Sequence, residues 1–154
     1  MREAALHPFD LKTIVFAKHA QHVVLIHFPI ALFLAGVAFD FLAHWKKQRL
    51  LAAAAYYNFF AAAATTIPVL ITGILAWQWQ LEGQRLKGIL LMHLVAGCVS
   101  SALIWVVWFM HRRARREEAG ILPGYRLPVE AMAVALVVLT GHLGGFLSGV
   151  NGPS

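Results

Sequence analysis

Residues 89–110 read ILLMHLVAGCVSSALIWVVWFM, twenty-two positions without one Asp, Glu, Lys or Arg. As an α-helix this run is roughly 33 Å long, enough to cross a hydrocarbon core about 30 Å thick. A surface helix of a soluble domain would carry a polar face, and this stretch has none. Working outward from it, three further apolar runs stand at 23–43, 51–79 and 129–150. The four spans use up most of the 154 residues and predict a single all-α domain over 1–154, an integral membrane four-helix up-down bundle. Residues 1–22 are left as an outer interfacial tail. A hydrophobic content of 60%, a charged content of 13% and a mean hydropathy of +0.68 exclude a disordered chain and argue against a soluble globular one.

Thirteen Lys and Arg against seven Asp and Glu leave a net charge of +6. In a soluble protein that balance would suggest nucleic acid, but here the charges fall in short clusters between uncharged spans, so no nucleic-acid partner is expected. Lys46, Lys47 and Arg49 follow the first span, and Arg112, Arg113, Arg115, Arg116 and Arg126 follow the third. The opposite side has Arg2, Lys12, Lys18, Arg85 and Lys87. By the positive-inside tendency the count of eight against five places both termini on the periplasmic side of a bacterial inner membrane. Residues 1–22 lack an apolar core followed by a cleavage site, so no removable signal peptide is expected, and Leu11–Val15 reads as a short amphipathic surface helix. Pro29 predicts a bend near the membrane face and Pro68 a tilt or kink within the long second span. Cys98 is the single cysteine, which excludes an internal disulfide and a Cys-x-x-Cys-His haem attachment site.

Ionisable residues within spans mark functional sites by default. His27 lies about four residues inside the first span, His93 about four inside the third and His142 about eight before the end of the fourth, so the three converge in one leaflet, ~6–12 Å deep. In a sequential bundle the first and third helices face each other diagonally. Two imidazoles at equal depth there suit a planar macrocycle, each Nε2 binding iron and each Nδ1–H held by an acceptor. His27 and His93 are the expected axial pair, with His142 as alternate ligand or propionate partner. Gly141 and Gly145, with Gly149, lie close to one face and would let a flat cofactor approach. His22 stands five residues before His27, about 140° away on a helix, so the two would not share one metal. Asp40 is paired with His44 one turn later, Glu130 is read as a carboxylate tolerated at a helix N-terminus, and His111 is read as a solvated interfacial residue. With no chain of acids and no room for inverted repeats, the bundle does not read as a transporter.

The stretch His22-Val23-Val24-Leu25-Ile26-His27-Phe28-Pro29-Ile30-Ala31-Leu32, followed by Asp40, resembles the opening of a family of bacterial four-helix membrane proteins, domain of unknown function 2231, which begin His-Pro-x-x-Val-His-Phe-Pro-Ile-Ala-Leu. Thr72-Gly73, Trp77, His93 and Gly141-His142-Leu143-Gly144-Gly145 extend the likeness over most of the chain. The proline usual after the first histidine is Val23 here. Some members look like b-type haem proteins or occur joined to c-type cytochrome modules, so the resemblance implies a redox-associated membrane subunit.

The expected function is therefore a membrane-embedded electron-transfer subunit, not a complete enzyme. It would carry one haem b per chain and pass electrons between a quinol and a periplasmic redox partner. Two alternatives stand beside it. One is a cofactor-free structural or assembly subunit, and the other a Zn²⁺ or Cu site at His27, His93 and His142.

Overall fold

The computed structural model describes residues 20–80, 82–83, 85–117 and 122–148. The tail 1–19, with its expected surface helix, and Gly149 lie outside them. Five helices follow in order: α1 (Ala20–Leu25), α2 (His27–Lys46), α3 (Arg49–Gln80), α4 (Gly88–Arg116) and α5 (Arg126–Leu147). Four segments are long and apolar enough to cross a membrane: Gln21–Lys46, which joins α1 to α2, then Arg49–Trp79, Gly88–Arg116 and Arg126–Leu147. The chain is thus all-helical, a membrane four-helix bundle with its spans packed in sequence. The expected boundaries extend by a few residues at most ends, because Lys and Arg at the last turns still make helical hydrogen bonds while their charges reach water.

Pro29 has no N–H to give the Leu25 carbonyl. The helical ladder loosens one turn earlier, at Ile26: Ile26 N–H bonds His22 O at 3.0 Å, but Ile30 N–H reaches Ile26 O only at 3.4 Å. This divides α1 from α2. A tight turn follows α2, with Lys47 in the left-handed region at φ 54°, and it folds α3 back antiparallel after only Lys47 and Gln48. α3 runs unbroken through Pro68. Around that proline Thr65 and Thr66 donate to Ala61, Ala62 and Ala63 carbonyls, so the polar atoms stay satisfied within the helix.

α2 packs mainly on α3, and α4 mainly on α5; α3 joins the two hairpins through α4, and α2 meets α5 along a narrower strip. The core runs from the middle of the bundle toward one end. Phe33, Phe59, Ala62, Ile104, Val107 and Val137 are buried there. That end, beside Lys46–Arg49 and Arg112–Arg126, is here termed the basic end. Toward the opposite, terminal end, beyond Phe33, Thr66, Ile104 and Val137, the described residues bury only Pro29, Ala96, Ser100 and Leu143. At the basic end Arg115 stacks on Tyr56 at 4.3 Å and Arg112 on Trp108 at 5.3 Å, a cation–aromatic collar at the expected water boundary.

Gly36 lets α2 and α3 touch. A β-carbon there would lie 2.7 Å from Phe59 Cδ1 and Cε1, and Phe59 is fully buried against Phe33. Gly36→Ala is expected to destabilise the bundle by about 1–3 kcal/mol, read as a lowered midpoint of unfolding in detergent; an unchanged midpoint would mean that the two helices can separate there at no cost.

Candidate functional site

The terminal half holds two half-buried imidazoles, His22 from α1 and His93 from α4. His22 Nδ1 lies 3.2 Å from Thr72 Oγ1 on α3. The Thr72 hydroxyl donates to Pro68 O at 2.8 Å, so its oxygen accepts and His22 carries its proton on Nδ1. His93 Nδ1 donates to the Thr140 carbonyl of α5 at 3.1 Å, an acceptor with no proton to offer, which sets the same tautomer. In both rings Nε2 keeps its lone pair.

Each ring also rests on a glycine. A β-carbon at Gly73 would stand 3.0 Å from His22 Cε1, and one at Gly144 would stand 3.1 Å from His93 Cε1. Thr72-Gly73 on α3 and Thr140 with Gly144 on α5 therefore act alike: an oxygen holds Nδ1, and a missing side chain makes room for the ring. Ser100 Oγ and Thr140 Oγ1, 3.0 Å apart, tie α4 to α5 just below His93. Gly97 on the same face of α4 faces the Thr140 methyl, the small-residue contact usual between helices in lipid.

The other expected site residues take different places. His27 is exposed, with Nδ1 donating to Val23 O of the preceding turn at 2.7 Å. The 140° between positions 22 and 27 allows only one of them to face inward, and the structure turns His22 in. His142 is exposed, its ring packed edge-on against Phe146 at 5.0 Å. A β-carbon at Gly141 would meet open space, and Gly145 is half-buried; Gly144 is the glycine that faces a histidine.

A second polar group lies at the basic end, and here the sequence reading is corrected. Asp40 does not pair with His44, which is exposed; Arg126 Nε donates to Asp40 Oδ2 at 2.8 Å. His111 is not solvated but 3% exposed, and Glu130 is fully buried rather than resting at an exposed helix start. Their side chains meet, His111 Nε2 to Glu130 Oε1 at 3.0 Å. Asp40, His111, Arg126 and Glu130 thus form one buried ionic cluster contributed by α2, α4 and α5. The signal was present in their depths, since Asp40, His111 and Glu130 all fall within about two turns of the same membrane face.

A family profile described as "Predicted membrane protein (DUF2231)" matches residues 18–152. No curated protein and no solved structure matches the chain.

Proposed function

We propose, for a chain that belongs to the DUF2231 family of predicted membrane proteins, that the paired imidazoles of His22 and His93 hold a b-type haem and that the protein serves as an electron-transfer subunit of a larger redox complex. One observation carries this reading. Two imidazoles from different helices have Nδ1 fixed by oxygen acceptors, leaving both Nε2 lone pairs for a metal, and both rings are seated on glycines. The donor set fits bis-histidine iron ligation, in which an outer acceptor orients each ring and raises its basicity.

The haem, when bound, supplies one-electron chemistry. The chain positions the two rings, keeps both neutral tautomers ready to bind and surrounds them with apolar helix. Thr72 and Thr140 act through the histidines, as positioning residues. The sparse packing of the terminal half supports the reading, since no close-packed core has to be displaced there. With the basic end taken as cytoplasmic by the positive-inside tendency, this half faces the periplasm, where a quinol in the outer leaflet and a periplasmic cytochrome are within reach as electron donor and acceptor. On this reading the subunit is not an enzyme by itself.

The test is a dithionite-reduced minus air-oxidised visible spectrum of the detergent-purified full chain, with a pyridine haemochrome assay. A sharp α-band with one haem per chain is the expected result. A protein that stays colourless after expression with ample haem would overturn the proposal in favour of a cofactor-free assembly subunit. A colourless protein that carries zinc or copper by elemental analysis would replace haem by an imidazole-bound ion.

Thr72→Val keeps the shape of the side chain and removes the oxygen. Loss of such an acceptor costs about 10–100-fold in metal affinity, so this variant is expected to lose haem to apomyoglobin far faster than wild type, at an unchanged fold by circular dichroism. Equal transfer rates would remove Thr72 from the site.

A further inference from the structure

The buried cluster at the basic end takes no part in the proposed haem site and stands at the other end of the bundle. Its charges do not balance: the Asp40 and Glu130 carboxylates face one guanidinium, that of Arg126. A fully buried carboxylate needs a cation beside it or a proton of its own. A proton on His111 is one candidate, since His111 Nε2 lies 3.0 Å from Glu130 Oε1. That proton leaves Glu130 Oε2 bare, and Oε2 is buried without a hydrogen-bond partner. One donor atom each from Asp40, His111 and Glu130 lies within 4.8 Å of the others, a spacing that one ion at the centre can span. All three residues are at most 3% exposed.

The geometry points to a divalent-metal site formed by Asp40, His111 and Glu130. One imidazole with two carboxylates is a borderline donor set, suited to a first-row ion such as Zn²⁺ or Mn²⁺. The ion engages the free Oε2 of Glu130 and the Asp40 carboxylate, and binds His111 through Nε2, which gives up its proton to do so. Arg126 is not a ligand. It holds Asp40 Oδ2 and so fixes the carboxylate that faces the ion, the role an outer hydrogen-bond donor commonly has at metal sites. With His111 protonated beforehand, the charge of the cluster then changes from about 0 to +1, and the bound ion ties α2, α4 and α5 together within the depth of the bilayer.

Zn²⁺ titrated by calorimetry into the full chain in detergent, after treatment with a chelator, tests this. One tight equivalent per chain is expected, lowered about 100-fold or more in both Glu130→Gln and His111→Gln and unchanged in the His22→Ala, His93→Ala double variant. The last arm separates this site from the proposed haem ligands, so either can fail alone. Co²⁺ is expected to give visible d–d bands without a thiolate charge-transfer band, because Cys98 is not among the ligands. Should Glu130→Gln not fold, Asp40→Asn makes the same test. Absence of a tight equivalent, or binding that survives these substitutions, would overturn the assignment and leave the cluster as a hydrogen-bonded ion network.

Discussion

With haem held as proposed, replacing His93 with alanine is expected to abolish a low-spin haem spectrum, and His22→Ala to do the same, while His27→Ala leaves it unchanged. The order follows from where each ring's hydrogen bonds go. His27 donates to the carbonyl of the turn before it and is exposed on the helix surface. His22 and His93 each bond across to a neighbouring helix, α3 and α5 respectively, and those bonds leave both Nε2 atoms as acceptors. Removing either ring would take away one of the two imidazoles proposed to hold the iron, so the low-spin signature would be lost. Visible spectra and electron paramagnetic resonance of the three variants decide the matter. A spectrum that survives His22→Ala and disappears in His27→Ala would restore the His27–His93 pair and require the first turn of α2 to rotate by roughly 140° from its place here.

Arg126→Ala is expected to be the most destabilising substitution in the basic half. Asp40 is 1% exposed, and its Oδ2 is held by Arg126 Nε at 2.8 Å. Removing one partner of a buried pair costs about 3–5 kcal/mol, because the other is left as an uncompensated charge. Asp40→Asn in the Arg126→Ala background removes that charge and is expected to recover much of the loss, a strong non-additivity for residues 86 positions apart. Arg126→Lys falls between, since an ammonium does not reproduce the guanidinium's planar fork. Unfolding in detergent checks the series. A loss under about 1 kcal/mol for Arg126→Ala would mean that water reaches Asp40.

The spans were legible because each is a run of about twenty or more largely apolar residues, and hydrocarbon imposes that requirement whatever the neighbouring helices do. Depth was legible for the same reason: His93 lies five positions after Gly88, and no packing detail alters that. The inward face was not. A helix apolar all round has no periodicity to reveal which side meets its neighbours, and on α1 and α2 the loosening at Ile26 intervenes between the two candidate histidines. Gly144 and not Gly141 backs His93 for a related reason, since Gly-x-x-x-Gly spacing marks a face without naming what lies against it. The basic-end cluster was missed because its members were read within their own helices. Asp40 has His44 one turn away, and that local pairing concealed a partner on α5, beyond two intervening spans.

The concentration of the buried core between mid-bundle and the basic end makes that end a fulcrum. Close packing around Phe59 and Val107 resists deformation, whereas the terminal half has little packed volume to break. A thinner bilayer or a change in lateral pressure is met by helix tilt, and tilt about a fulcrum moves the far ends most. His22, carried on the six residues beyond the Ile26 break, travels furthest relative to His93, while Asp40 and Arg126 stay together. A change in the surrounding lipid that tilts the helices would thereby act on the separation of the two imidazoles through leverage.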